Sequence, residues 1–273
     1  FDPNKIPANL AVNFSPDLES SDIIIAANNL PKPMPAGCTA EVLGGGMVRL
    51  TMTGDAELKL RTYRQLAVQS AGQLPSGFDP AALYNSRFHP RGLQLSIIAA
   101  SDAVQSIGID WETIKQKVKP DEVCVYAGSA MGQLDKNGLG GMTQARLRGE
   151  RVSSKQLALG LSQMPGDFVN AYVLGSLGST GAALGACASF LYNLRLAVDE
   201  IKSGRRRVAV VGSAEAPITP EVIEGYAAMS ALVTDENLRK LDGIEIPNYR
   251  RASRPFGDNS GFVLAESGQY VVL

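Results

Sequence analysis

Histidine and cysteine are nearly absent from this chain: one His, His89, and three Cys, Cys38, Cys124 and Cys187, in 273 residues. Zinc sites need clustered Cys or His ligands, and the sequence offers no CxxC or Cys/His cluster, so no metal site is expected. An odd number of widely spaced cysteines argues against a disulfide framework and for a reducing compartment. Surplus charge is lacking too. The 26 Lys and Arg against 27 Asp and Glu leave a net charge of −1, which gives no reason to expect sequence-independent nucleic-acid binding. The most apolar stretches, such as residues 93–100, are too short or too interrupted to span a bilayer. No signal peptide is visible, and the expectation is a soluble, cytoplasmic protein. The chain opens at Phe1 rather than Met, so its natural N-terminus is expected to be missing.

The hydrophobic content of 45% is enough for one large core or two smaller ones. Residues 1–40 are broken by Pro and Asn, with one apolar run at Ile23-Ile24-Ile25. Residues 41–53 read as a hairpin around Gly44-Gly45-Gly46. Residues 93–107 carry helical periodicity and end at Gly108. Residues 123–127 read as a buried strand, and a Gly-rich loop is expected over 132–141. Short helices are expected at 154–161 and 165–174. Residues 208–211 read as a strand, with a loop over 212–216. Thr219-Pro220-Glu221 looks like a capped helix start, leading to a helix through about residue 232. Residues 235–254 read as polar loop, and 270–273 as a last apolar segment. Strands alternating with helices indicate an α/β layered domain. The expected division is 1–69, an N-terminal extension with a hairpin, and 70–273, the main domain.

Cys187 is the leading functional candidate. Gly175, Gly178, Gly181 and Gly185 punctuate the segment before it. Phe190, Leu191, Leu194, Ala197, Val198 and Ile201 follow at the spacing of a helix with one buried face. A helix N-terminus offers unpaired N–H groups and the positive end of the dipole, which favour the thiolate form that attacks carbonyls. Position alone leaves open an inert buried thiol.

Four segments, in order, carry a family resemblance. They are residues 175–189, residues 208–216, Gly225-Tyr226-Ala227-Ala228-Met229-Ser230-Ala231-Leu232, and Ala252-Ser253-Arg254-Pro255-Phe256 with Gly261-Phe262-Val263. Ala71-Gly72, Phe78-Asp79-Pro80 and residues 123–132 add to them. Together they resemble the β-ketoacyl-acyl-carrier-protein synthases, the condensing enzymes of fatty-acid and polyketide synthesis, over residues 70–273. The wording of the segments is similar to a divergent bacterial fatty-acid branch.

The resemblance implies a thiolase-like αβαβα fold, of which this chain represents mainly the N-terminal half, and a homodimer. It implies that Cys187 accepts an acyl group from acyl carrier protein or acyl-CoA, with the Cys187 backbone N–H as an oxyanion donor. Malonyl-acyl-carrier protein then loses carbon dioxide and attacks the thioester to give a 3-oxoacyl product. No cofactor, nucleic acid or membrane is implied. Met131 and Gly132 are expected to line an acyl pocket, and Thr180 and Ser189 to lie at the substrate site through backbone capping or packing near Cys187. The family's two further basic side chains belong to the second half of its fold, so the chain is expected to be a piece of an enzyme, inactive alone. His89 matches neither of them and is expected to be a surface or capping residue.

Departures accompany the match. Gly185 stands where the family usually has Thr, and Ala265-Glu266-Ser267 where it has Gly-Glu-Gly. Gly257-Asp258-Asn259-Ser260 is one residue shorter than the usual connection. Three other readings share some features: a thiolase acting on acyl-CoA, a non-catalytic condensing partner, and an α/β-hydrolase with a cysteine nucleophile. The last lacks any His after Cys187. Arg205-Arg206-Arg207 and Arg250-Arg251 are candidates for attracting an acidic carrier protein or a coenzyme A phosphate, against the alternative of a solvated surface.

Overall fold

Val123, Val125 and Ala127 turn to one side of a strand and Cys124 and Tyr126 to the other, and neighbours bury both sides. Such a strand needs helices on both faces of its sheet. A computed structural model, which describes residues 2–13, 20–53, 57–86, 88–176 and 178–273, has that arrangement. The chain divides into two units, Asp2–Leu66 and Ala67–Leu273.

In the first unit, β1 (Ile6–Asn13) is followed by β2 (Ser21–Ala26), β3 (Cys38–Gly44), β4 (Met47–Met52) and β5 (Glu57–Arg64). Strands β2, β4 and β3 form one antiparallel sheet, and β1 pairs with β5 in another. The expected hairpin is β3–β4, with Glu41 opposite Arg49 and Val42 opposite Val48. Leu50 and Met52 are buried with Ile23, Ile25, Leu30, Met34 and Cys38, a small core of the unit's own. Arg49 reaches Glu41 at 2.7 Å.

The second unit opens with α1 (Arg91–Ser106) and α2 (Trp111–Lys117), then β6 (Val123–Gly128). Next come α3 (Leu139–Arg148), α4 (Ser154–Gly160) and α5 (Met164–Val169), a π-helical turn at Asn170–Leu174, and β7 (Ser179–Gly181). The unit ends with α6 (Ser189–Lys202), β8 (Val208–Glu215), α7 (Pro220–Ala228), α8 (Asp235–Asp242) and β9 (Ser267–Val272). The sheet order is β7-β6-β8-β9, with β6 parallel to β7 and β8 and β9 antiparallel. One face packs Val123, Val125 and Val210 against Ala100, Ala103 and Val104 of α1 and Val169 of α5. The other packs Cys124, Ala209 and Val211 against Phe190, Leu194, Ala197 and Ile201, the i, i+4, i+7, i+11 stripe of α6. Burial pushes the Cys124 thiol up to about 11, so it behaves as a core side chain.

Several local expectations differ from the fold. Helix α3 begins inside the expected Gly-rich loop, because Gly140 and Gly141 pass too close to the carbonyls of Leu134 and Lys136 for any side chain. The expected loop over 212–216 is mostly strand, since β9 pairs with β8 as far as Glu215 opposite Ser267. The segment 235–254 holds α8, capped by Thr234 and tied back by Arg254 to Asp242 at 2.6 Å. Helix α7 stops at Ala228, short of residue 232, and Ser230 takes a left-handed φ of 55°. Thr219 precedes α7, but its hydroxyl makes no cap bond and has no partner among the described residues.

Candidate active site

The loop before α6 is tied to the helix by two buried polar side chains. Ser189 Oγ accepts from the Gly185 N–H at 3.0 Å and donates to the Ala186 carbonyl at 2.6 Å. Asn193, fully buried, accepts from the Ala183 N–H at 2.8 Å and donates to the Ala183 and Ser189 carbonyls. These bonds hold Ala186 in the left-handed region at φ 50°, which costs a non-glycine residue about 1–3 kcal/mol. The tight turn puts Cys187 immediately ahead of α6 with its side chain exposed. A Cβ at Gly185 would fall 1.9 Å from a ring carbon of Tyr192, so a side chain there must displace that ring.

Cys187 opens onto a pocket of ≈ 440 Å³. Met131, Phe190, Tyr226, Val263 and Leu264 supply its apolar walls, and Ser189, Ser213, Glu215 and Gln269 its polar ones. Tyr226 donates toward Met131 Sδ at 3.9 Å and meets Phe262 edge to face, with ring centroids 5.4 Å apart. Glu215 ends β8 and accepts from the Ala130 N–H at 2.5 Å and the Ser129 hydroxyl at 2.9 Å. Burial raises its pKa above the usual carboxylate value, and these hydrogen bonds oppose the shift. An exposed thiol at a strained turn beside an apolar pocket can attack a thioester carbonyl and store the acyl chain.

Cys187, Met131 and Ser189 thus share one pocket, with Ser189 serving the loop's backbone. Gly132 and Thr180 do not line it. Gly132 takes φ 68°, where its N–H meets the Ser129 carbonyl at 3.3 Å. Thr180 lies on β7 and bonds Asp167. Sequence reasoning passed over Asn193, whose signal was an amide on the buried stripe of an amphipathic helix. It also passed over Gln269 as a pocket residue, which had no local signal.

His89 is not a surface residue. It is 9% exposed, with Tyr84 Oη 2.9 Å from Nδ1, Tyr172 Oη 3.4 Å from Nε2, and Phe168 edge to face at 4.9 Å. Its carbonyl accepts from Gln94 and Asn137. Desolvation, then Lys155, lowers its pKa. The Arg205-Arg206-Arg207 run is engaged within the chain: Arg205 and Arg206 pair with Glu200, and Arg207 donates to the Lys117 carbonyl. Among the described residues no cluster of His, Cys, Asp or Glu could hold a metal ion, and no helix is long and apolar enough to cross a membrane.

Comparison with known proteins shows the family. Residues 51–273 match the model of the β-ketoacyl synthase N-terminal domain. The chain is 54% identical to the β-ketoacyl-[acyl-carrier-protein] synthase FabY of Pseudomonas aeruginosa, over 100% of its own length and 43% of that protein's. It is 27% identical to the mitochondrial 3-oxoacyl-[acyl-carrier-protein] synthase of Arabidopsis thaliana, over 80% of this chain and 46% of the relative. The crystal structure of the P. aeruginosa ketosynthase FabY superposes with a TM-score of 0.90, covering 99% of this chain and 43% of that one. A β-ketoacyl synthase from Burkholderia phymatum, 19% identical, shares the fold at a TM-score of 0.59 over 77% of this chain and 48% of its own. The chain thus spans less than half the length of these relatives. With its α/β sheet covered on both faces, it belongs to the β-ketoacyl synthase family and carries that family's N-terminal domain.

Proposed function

We propose that the protein containing this chain is a 3-oxoacyl-acyl-carrier-protein synthase of fatty-acid synthesis and that Cys187 is its nucleophile. The observation that carries the reading is the exposed Cys187 thiol, held ahead of α6 by the Ala186 turn and facing an apolar pocket. Cys187 Sγ attacks the carbonyl of an acyl thioester. The tetrahedral intermediate collapses with expulsion of the donor thiolate, which takes up a proton. The Cys187 backbone N–H, ahead of α6, is the proposed donor to the transient oxyanion, since the next two N–H groups bond the Gly185 and Ala186 carbonyls. Malonyl-acyl-carrier protein then loses carbon dioxide. Its enolate carbon bonds to the acyl carbon, and the Cys187 thiolate leaves. The basic groups that assist decarboxylation are assigned to the remainder of the polypeptide.

An acidic acyl carrier protein is the proposed partner. Exposed Arg146, Arg148, Arg151 and Lys155 on α3, α4 and their connection supply charge of the right sign. The Arg205-Arg206-Arg207 run, with its intrachain pairs, is less suited. The proposed assembly is a cytoplasmic homodimer, which light scattering of the full-length protein tests.

The deciding experiment is an intact-mass spectrum of the full-length protein before and after incubation with acyl-CoA and with acylated carrier protein. One acyl adduct is expected, and Cys187→Ala should abolish it while leaving the circular dichroism spectrum unchanged. Undiminished acylation of Cys187→Ala would overturn the assignment.

A further inference from the structure

Glu215 makes none of the bonds that shape the Cys187 turn, yet it lines the same pocket. Its carboxylate sits at the end of β8 against two consecutive residues that follow β6. It accepts from the Ser129 hydroxyl at 2.9 Å and from the Ala130 N–H at 2.5 Å. Gly132, at φ 68°, turns the chain away directly afterwards. Among the described residues no Lys, Arg or His forms a salt bridge with Glu215, so its charge rests on these donors.

Burying a carboxylate without a cation is costly, and a neutral side chain would end a strand as well. What the charged group adds is one rigid acceptor for two donors. Those donors belong to the segment that delivers Met131 to the pocket. There Met131 Sδ stands 3.9 Å from Tyr226 Oη, so the two side chains meet across the apolar wall. The wall beside the nucleophile is therefore only as well placed as the segment 129–131.

We propose that Glu215 is a positioning residue for acyl-chain selection, acting by clamping residues 129–131 so that Met131 is a fixed wall of the pocket beside Cys187. It does not touch the reacting atoms. The inference rests on the reading of Cys187 as acyl acceptor and adds what sets the length of chain the pocket takes. Glu215→Gln keeps the shape but replaces one acceptor oxygen with an NH₂ group that faces backbone donors. The clamp then loosens and Met131 shifts.

The test uses the full-length protein and two probes, acetyl-CoA and octanoyl-CoA, with single-turnover acylation of Cys187 read by intact mass. The readout is the ratio of the two loading rates. A wall displaced by about one methylene changes such discrimination on the order of tenfold. Glu215→Gln should shift the ratio by that amount, and Met131→Ala should shift it in the same direction. The double variant should shift it no further than Met131→Ala alone. If Glu215→Gln lowers both rates equally, or if the two shifts simply multiply, the positioning role is wrong. Wild-type protein that takes no acyl group from either probe, nor from the same acyl groups carried on acyl carrier protein, would overturn the Cys187 reading itself, a result distinct from an unchanged ratio. Should Glu215→Gln fail to fold, Ser129→Ala removes one of the two donors. It should move the ratio in the same direction by a smaller factor, and an unchanged ratio there would refute the clamp.

Discussion

Gly185→Ala is expected to destabilise the protein through one neighbour, Tyr192. The new Cβ would lie 1.9 Å from Tyr192 Cε2 and 2.4 Å from Cδ2, far inside contact distance. The backbone cannot yield easily, because the Gly185 N–H is held by Ser189 Oγ and its carbonyl by the Ala188 N–H, each at 3.0 Å. The ring gives instead, since Tyr192 is 51% exposed and free to swing outward. Its buried half amounts to about 100 Å², and at about 25 cal/mol per Å² its exposure costs about 2.5 kcal/mol. The value agrees with the usual cost of overpacking, and in a domain of this size it lowers the melting temperature by about 5 °C. The assay is a double-mutant cycle: thermal unfolding of wild type, Gly185→Ala, Tyr192→Ala and the double variant. With the ring removed, Gly185→Ala should cost almost nothing, leaving a coupling of about 2.5 kcal/mol. Melting shifts that add within about 0.5 kcal/mol would refute the placement of the ring on Gly185.

Two more predictions concern pH. Glu266 is nearly buried and accepts from both Nε and Nη2 of Arg91 and from the Leu74 N–H at 2.8 Å; the Arg91 bond is the main cause of its lowered pKa. Glu266→Gln should cost about 2 kcal/mol at pH 7, less than a fully buried pair because Arg91 stays 36% exposed. A carboxylate with a depressed folded pKa stabilises above its unfolded pKa and loses that contribution as pH falls through the folded value. The penalty of Glu266→Gln in denaturant titrations should therefore shrink in acid, and a constant penalty would contradict the pairing. His89 is held neutral between Tyr84 and Tyr172, with burial as the main cause of its lowered pKa. Its native form binds fewer protons than the unfolded form, so wild-type stability should fall from pH 7 as pH drops below about 6.5. Thermal melts of His89→Phe should lack that slope, and an equal slope would place the pH sensitivity elsewhere.

The sequence by itself determined the pieces whose physics is local. The α6 stripe of Phe190, Leu194, Ala197 and Ile201, the two-sided burial of residues 123–127 and the hairpin around Gly44-Gly45-Gly46 all lie where periodicity and turn chemistry put them. Cys187 was legible as a thiol at a helix start, and ordered segments carried the family. Only the tertiary structure decided how far β8 runs, because Gly212 to Glu215 are strand by virtue of pairing with β9, over fifty residues later. Helix α8 owes its place to Leu238 in a local core and to the Arg254 tie, neither visible as apolar periodicity in a charged segment. His89 became a core residue because Phe168 and Tyr172, four residues apart on α5 and the π-helical turn that continues it, close over it beside the nearby Tyr84. Met131, Cys187, Tyr226 and Gln269 are distant in sequence and meet only because β6, β8 and β9 lie side by side, so that the loops and ends of these strands converge on one pocket. Spacing along a chain reports neighbours within one helix or strand, while a site built from several strand ends depends on the order in which those strands pair.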